Sequence, residues 1–316
     1  MKTQAPAGAA PAPVPADAPS PVSPAHNLRA QLVLTAAMAL WGLNIPAVRV
    51  LAGRFDFTTL AAVRMFFTCC VFAALALRAG GRLPRMPRRH WPLLLACSML
   101  MVYGNQVFFT SGMARTSATN SALIVALGPL VSSLLAAIAF RERLALPRLA
   151  GIALGLAGVA GVILHRPGAG VGAAGLGDLL VGASVLSFAL GGVLVQRLAR
   201  QLDVLSISLS IYLVGTALLM LHAVLAGFDQ RILSSGWQSW SLILFSGVLA
   251  SAVGNLIWNR SIGILGISRT ALFLNWVPLF AIAFAVAFLG EPFSWWLLFG
   301  FGCVVCGTWL GAMRRT

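Results

Sequence analysis

Charged residues are scarce in this chain. They make up 9% of its 316 residues, whereas a typical soluble protein has about 25%. Hydrophobic residues account for 59% of the chain, and the mean hydropathy is +0.91. A soluble domain of this size could not bury so much apolar surface. The composition therefore excludes an ordinary cytosolic enzyme and predicts a polytopic membrane protein.

Residues that many enzymes require are also missing. Lys2 is the only lysine, so the chain has neither a P-loop lysine nor an intramembrane lysine for a retinal Schiff base. It has no H-E-x-x-H zinc motif, and no aspartate lies in the middle of an apolar segment. The five cysteines fall inside apolar runs, and Cys303 and Cys306 have no second ligand pair. We expect no enzyme activity, no metal and no cofactor.

Ten apolar segments follow an Ala/Pro-rich tail of residues 1–27, which we predict to be disordered and cytoplasmic. Each segment is long enough for a membrane helix, which needs about 20 residues. We therefore predict an all-α membrane protein with ten transmembrane helices. The segments are residues 30–50, 57–79, 91–112, 117–140, 147–165, 176–198, 205–227, 238–258, 267–290 and 294–313.

The net charge of +15 reflects topology rather than nucleic-acid binding. With the N-terminus in the cytoplasm, sixteen of the 22 basic residues fall on the cytoplasmic side and five on the other, while Arg64 lies inside a helix. Loops rich in Lys and Arg stay in the cytoplasm. The bias predicts a multi-pass protein of the cytoplasmic (inner) membrane with both termini in the cytoplasm, and no nucleic-acid partner.

An internal repeat is visible at an offset of 149 residues. Pro129 and Glu142 match Pro278 and Glu291, with the spacing of thirteen residues kept. Because each unit contains an odd number of helices, the second unit would enter the membrane upside down. The sequence therefore predicts two inverted five-helix repeats, residues 28–166 (helices 1–5) and 175–313 (helices 6–10).

Polar and aromatic side chains fall near the middle of the predicted helices. An amide that faced lipid would lack a hydrogen-bond partner, so these side chains should face the interior of the bundle. Each could instead serve packing through an interhelical hydrogen bond. As a group they predict a polar and aromatic substrate cavity. Its predicted residues are Trp41, Asn44, Arg64, Tyr103, Asn105, Gln106, Asn120, Ser187, Asn255, Asn275 and Trp276.

Arg64 lies about two turns into its predicted helix, where a charge is costly unless it meets water or a partner. It could attract a substrate carboxylate, or it could link to carbonyl groups of a neighbouring helix. Both interpretations stay open at this stage.

Pro46, Pro129 and Pro278 lie inside predicted helices, and each removes a backbone hydrogen bond. Breaks at matching repeat positions indicate hinges and a binding site at the midplane of the membrane, with a tolerated kink as the alternative. Glycines recur in the fifth and tenth helices and allow close helix packing. Those two helices are candidates for a rigid scaffold and for a homodimer contact.

Several motifs, taken in order, resemble the EamA-type transporters of the drug/metabolite transporter superfamily. They are Trp41-Gly42-x-Asn44, Arg64, the stretch 116–122 with Pro129 and Glu142, and the stretch 266–271 with Pro278 and Gly290-Glu291-Pro292. The resemblance covers about residues 30–313. It implies ten helices, an inverted repeat, a central cavity, alternating access, and export of amino acids and other small metabolites.

We therefore expect a secondary transporter or facilitator that exports small amphipathic metabolites. Amides and aromatic faces suit a neutral or zwitterionic metabolite, and the resemblance implies amino acids as the favoured class. Two alternatives stay open, namely an exporter of drugs or other toxic compounds and a non-transporting membrane receptor or scaffold. The expected partners are the small-molecule substrate and the lipid bilayer.

Overall fold

A computed structural model describes residues 24–78, 87–116, 121, 124–141, 146–165, 175–289 and 295–312. These residues are helical and contain no strand. The helices are α1 (Pro24–Ala52), α2 (Phe57–Arg78), α3 (Arg88–Arg115), α4 (Gly128–Phe140), α5 (Leu146–Leu164), α6 (Leu176–Leu198), α7 (Val204–Leu225), α8 (Trp237–Leu265), α9 (Ile267–Ala271), α10 (Trp276–Leu289) and α11 (Trp295–Ala312).

Six helices are long and apolar enough to cross a membrane, namely α1 over Gln31–Ala52, α2, α3, α6, α7 and α8. Shorter apolar stretches occur in α4, in α5 over Leu149–Gly158 and in α11 over Leu298–Gly307. For the described residues, the prediction of an all-helical protein with several apolar helices of membrane length is confirmed. The number of ten membrane helices stays a prediction. Helix α1 begins at Pro24, within the segment that the sequence analysis assigns to the tail, and residues 1–23 lie outside the described part of the chain.

The buried core is apolar, and so is much of the outer surface. Leu34 on α1, Leu60 on α2 and Leu219 on α7 are fully buried. By contrast, Leu77 is 66% exposed and Leu225 is 78% exposed. Because the transfer of aliphatic side chains from water into an apolar medium is favourable, these outward faces suit contact with lipid.

Helices α3 and α8 each widen into a π-helical stretch near their middle, over Ser98–Gly104 and Phe245–Val253. A π turn replaces the usual hydrogen bond with one to the fifth residue along, and such turns occur often at functional sites. The two segments consist of apolar and small residues that are common in membrane helices, so their sequences do not predict a π-helix. They lie where α3 and α8 face other helices.

Carbonyl groups within the π-helical stretches accept hydrogen bonds from side chains of other helices. The hydroxyl of Ser187 donates to the carbonyl of Leu100 at 2.6 Å. The indole Nε1 of Trp41 donates to the carbonyl of Ala250 at 2.8 Å. These bonds join α6 to α3 and α1 to α8.

Helix breaks precede two of the three prolines that were predicted to lie inside helices. A turn at residues 126–127 precedes α4, and a 3₁₀ segment, Leu272–Asn275, precedes α10. Pro129 and Pro278 therefore fall in the first turn of a helix, where a missing N–H removes no intrahelical bond. Pro46 does lie inside α1. The expected mid-helix position of Pro129 and Pro278 is thus corrected, and the hinge role of all three stays a prediction.

Candidate functional site

A cavity of about 130 Å³ of water-accessible space lies among α1, α2, α3, α6, α7, α8 and the beginnings of α4 and α10. The cavity is large enough for several waters or for a small ligand. Six of the predicted site residues line it. They are Trp41, Asn44, Arg64, Asn105, Gln106 and Asn255.

Four other predicted site residues do not line this cavity. The hydroxyl of Tyr103 is paired with Nδ1 of His222 at 3.2 Å, and Ser187 is committed to its bond with α3. Asn275 is fully buried and packs against Gly155. The ring of Trp276 stacks on the ring of Phe280, with centroids 5.8 Å apart.

Three further residues of the predicted motifs cannot be placed. Asn120, Glu142 and Glu291 lie outside the described residues.

Arg64 is 1% exposed and is tied to two other helices through one hydroxyl. Its Nε donates to the Oγ of Ser246 on α8 at 2.6 Å. The same hydroxyl donates in turn to the Oδ1 of Asn44 on α1. A relay of three side chains therefore joins α2, α8 and α1 at the cavity wall.

A second relay runs from Arg64 to the opposite wall. Its Nη1 donates to the Oε1 of Gln106 at 3.3 Å, and Gln106 Nε2 donates to the Oδ1 of Asn105 at 3.1 Å. Asn105 Nδ2 donates to the carbonyl of Ser184 on α6 at 3.0 Å. Both amides are thereby held in fixed orientations beside the cavity.

The positive charge of Arg64 has no carboxylate partner among the described residues. Its two bonded partners, Ser246 and Gln106, are uncharged. A guanidinium carries five N–H donors, and a buried charge is costly unless an opposite charge or dipoles compensate it. An anionic group in the cavity would supply such compensation. Arg64 also links helices, through the side chains of Ser246 and Gln106 rather than through backbone carbonyl groups. Both predicted roles of Arg64 therefore stay open.

Aromatic rings form the apolar wall of the cavity. Trp41 and Phe188 line the cavity, and their rings contact each other and the buried ring of Trp258, with centroids 5.4 to 5.7 Å apart. Gly254 lies against Trp41, and a Cβ at that glycine would come within 2.5 Å of the indole Nε1. The backbone of α8 can therefore approach the indole closely only without a side chain at this position.

Sequence reasoning missed several residues that line the cavity. The polar ones are Ser132, Ser184, Tyr212 and Ser251. The Oγ of Ser132 is buried without a hydrogen-bond partner. Ser132 follows Pro129 by three residues, so its place one turn after the break was the signal that could have found it. The remaining serines are common in membrane helices and carry no such signal.

Both helix breaks reach the cavity. Val125 and Gly128 line it beside the break before α4, and Leu274 and Val277 line it beside the break before α10. The helix breaks next to the matched residues Pro129 and Pro278 therefore both border this cavity.

The comparison with known protein families gives a match over most of the chain. The model of the EamA-like transporter family matches twice, over residues 28–164 and 175–312. The chain belongs to the EamA-like transporter family. As a member, it is a multi-pass membrane protein and a transporter rather than an enzyme, and the resemblance seen in its motifs is confirmed.

Relatives of this EamA-like transporter carry more specific descriptions. A protein of Streptantibioticus cattleyicolor described as a probable terminal-alkyne amino-acid exporter is 27% identical, over 82% of this chain and 84% of its own. The S-adenosylmethionine/S-adenosylhomocysteine transporter of Chlamydia trachomatis is 27% identical, over 71% of each chain. A solved crystal structure covers 90% of this chain and 96% of its own at 21% identity, with a TM-score of 0.76. That likeness concerns the fold.

Proposed function

We propose that this EamA-like transporter exports small amphipathic metabolites from the cytoplasm across the inner membrane, with α-amino acids as the favoured class. The observation on which the proposal rests is Arg64, a buried guanidinium at a cavity wall whose described partners are uncharged. Arg binds carboxylates through paired N–H groups, which gives both strength and orientation.

The rest of the cavity suits the other parts of an amino acid. Asn255 donates its Nδ2 to the carbonyl of Ser251 at 2.8 Å, which leaves its Oδ1 as an acceptor for an ammonium group. The rings of Trp41 and Phe188 offer an apolar surface for a substrate side chain. The cavity is large enough for a small metabolite.

The names of the two relatives support this substrate class. An alkyne-bearing amino acid and S-adenosylmethionine share an α-amino-acid group, although the rest of each molecule differs. A site that recognises the shared group and tolerates different side chains would account for both.

For the architecture we propose ten membrane helices in two inverted five-helix repeats, with both termini in the cytoplasm. Three features support this arrangement. The family model matches two segments of similar length. The π-helical stretches of α3 and α8 begin 147 and end 149 residues apart, and helix breaks precede both matched prolines. Transport would proceed by rocking of the two units about the cavity.

Flux measurements in proteoliposomes test the proposal. We expect flux of at least one zwitterionic amino acid above that of empty vesicles, and stronger inhibition by α-amino acids than by the amines that lack the carboxylate. Ser132→Phe, which fills the cavity, should abolish this flux in a protein that still folds. If no amino acid moves, the proposed substrate class is wrong.

The alternative of a drug exporter is tested by the same panel. Many drugs are lipophilic cations, and the described cavity wall offers them a guanidinium but no carboxylate. Flux of such cations with none of amino acids would contradict the proposal.

A further inference from the structure

A second pocket, of about 560 Å³, lies at one end of the helix bundle, where α3 begins and α4 and α6 end. Its wall contains His90 from the start of α3 and Phe140 and Arg141 from the end of α4. Arg197 and Arg200, from the end of α6, complete the basic part of the wall. The pocket shares no lining residue with the cavity around Arg64.

Two of the three arginines of this pocket lie over one aromatic ring. The Cζ atoms of Arg197 and Arg200 lie 5.7 and 5.3 Å from the centroid of the Phe140 ring. Arg141 follows Phe140 directly and is exposed. Among the described residues, no carboxylate lies within ion-pair distance of any of these three arginines. Like charges held together in this way repel one another unless an anion joins them.

Helix capping accounts for only part of this arrangement. Cations near the C-terminal end of a helix are favoured by its dipole, and the Nη2 of Arg197 donates to the carbonyl of Ala139 at the long distance of 3.5 Å. That contact occupies one donor of one arginine. It explains neither the pocket nor the stacking of two guanidinium groups on one ring.

The surfaces beside the pocket are apolar. Trp91 and Leu95 on α3 are 63% and 53% exposed, and Ile138 near the end of α4 is 69% exposed. Exposed tryptophan at a helix end is typical of the membrane interface. An anion bound here would therefore lie next to surface that suits acyl chains.

We propose that this pocket binds the phosphate headgroup of an anionic phospholipid. Arginine pairs with phosphate through two N–H groups, and basic pockets between membrane helices bind such headgroups at the cytoplasmic surface. The arginines involved belong to the set that the charge bias predicts to be cytoplasmic, where anionic lipids are enriched. The proposal is independent of the transported substrate.

Lipid binding to the purified full-length protein in neutral detergent tests this proposal, with native mass spectrometry as the readout. We expect phosphatidylglycerol to bind about tenfold more tightly than phosphatidylcholine of the same chain length. The double variant Arg197→Gln/Arg200→Gln should lose about tenfold in affinity for phosphatidylglycerol and keep its affinity for phosphatidylcholine.

A matched variant separates a site from a general effect of charge. Arg78 and Arg260 are exposed and belong to the same predicted cytoplasmic set, so Arg78→Gln/Arg260→Gln removes the same charge elsewhere. It should leave the phosphatidylglycerol affinity nearly unchanged. An equal loss in both double variants, or no preference of the wild type for phosphatidylglycerol, would overturn the proposal.

Two further measurements complete the test. Inorganic phosphate and glycerol 3-phosphate at millimolar concentrations should not displace the lipid, and displacement at the lipid's own concentration would assign the pocket to a soluble phosphate instead. If the double variant fails to fold, the single variant Arg200→Gln should still weaken phosphatidylglycerol binding severalfold, and an unchanged affinity would overturn the proposal.

Discussion

The Nε of Arg64 donates to the Oγ of Ser246 at 2.6 Å, although the two residues are 182 positions apart in the chain. Arg64 belongs to the first segment that the family model matches and Ser246 to the second. The bond therefore joins the two halves of the chain at the wall of the cavity. A substrate carboxylate that engaged the guanidinium would compete for the same donors, so binding and the contact between the halves would be linked.

The first prediction concerns the charge of Arg64. Arg64→Ala should reduce the transport of amino acids about tenfold or more relative to amine analogues, because a hydrogen bond to a charged group contributes about 1.5–3 kcal/mol. Arg64→Lys should retain part of the activity, since it keeps the charge and loses the paired N–H groups. Flux of both substrate classes in proteoliposomes is the measurement.

Arg54 provides the control for that prediction. It lies outside the cavity and donates to the hydroxyl of Ser239 at 3.1 Å, so Arg54→Ala should affect both substrate classes alike and weakly. An equal loss of acids and amines in Arg64→Ala would instead assign Arg64 a structural role.

The second prediction concerns the hydroxyl that Arg64 and Asn44 share. Ser246→Ala leaves the buried Nε of Arg64 unpaired, which costs about 1–3 kcal/mol, and removes the donor to the Oδ1 of half-buried Asn44. We expect a lower midpoint of thermal unfolding in detergent. Ser241→Ala serves as the control, because Ser241 is exposed and bonds within its own helix to the carbonyl of Gln238. Equal midpoints for the two variants would refute the relay.

Much of this fold was predictable because composition and hydropathy reflect the solvent that surrounds a helix. An amide in an apolar helix has to face inward, and Asn44, Asn105 and Gln106 do line the cavity. Their role in substrate binding stays a prediction. Arg64 was predictable for the same reason, since a lone charge is more costly still in lipid.

Which inward-facing residue reaches the cavity was not predictable. Asn44 and Asn275 are equivalent in sequence terms, since each is an asparagine in an apolar helix, yet one bonds Ser246 and the other packs against Gly155. The difference depends on how each helix is rotated and on which neighbour is nearest. The π-helical stretches were equally hidden, because their residues are ordinary for a membrane helix.

The third prediction concerns Asn275, whose Nδ2 and Oδ1 are both buried without a hydrogen-bond partner. An unpaired buried amide costs about 1–3 kcal/mol. Asn275→Leu, which keeps the branched shape, should therefore raise the thermal unfolding midpoint. Asn44→Leu should lower it, because Asn44 accepts the bond from Ser246. A lower midpoint for Asn275→Leu would show that the amide has a partner.

The fourth prediction concerns pH and the loop between α7 and α8. Both carboxylate oxygens of Asp229 accept bonds of 2.9 Å from the Arg231 guanidinium, and one also accepts the N–H of Asp56. Hydrogen bonds from the Arg231 side chain and from the N–H groups of Asp56 and Arg231 lower the pKa of Asp229 to about 2. An unfolded Asp has a pKa of about 3.9. Since the folded state lowers the pKa, the contribution of Asp229 to stability is complete above about pH 5 and declines as the pH falls towards 2.

Asp229→Asn makes that contribution measurable. At pH 6 the variant should unfold at a lower temperature than the wild type, and the difference should shrink as the pH is lowered towards 2. A difference that stays constant with pH would mean that the carboxylate charge contributes nothing to the fold.

The fifth prediction concerns the packing of α1 on α10 next to the cavity. A Cβ at Gly42 would lie 2.5 Å from the Cβ of Phe280 and 2.9 Å from backbone atoms of Ala281 and Val277. Backbone atoms cannot move aside as a flexible side chain can, so Gly42→Ala should push the two helices apart and cost about 1–3 kcal/mol. Val277 lines the cavity, and the displacement should therefore lower transport as well as the unfolding midpoint. Gly302→Ala, where a Cβ would meet nothing within 4 Å, should change neither quantity, and a Gly42→Ala protein that behaves like it would disprove the close approach of α1 and α10.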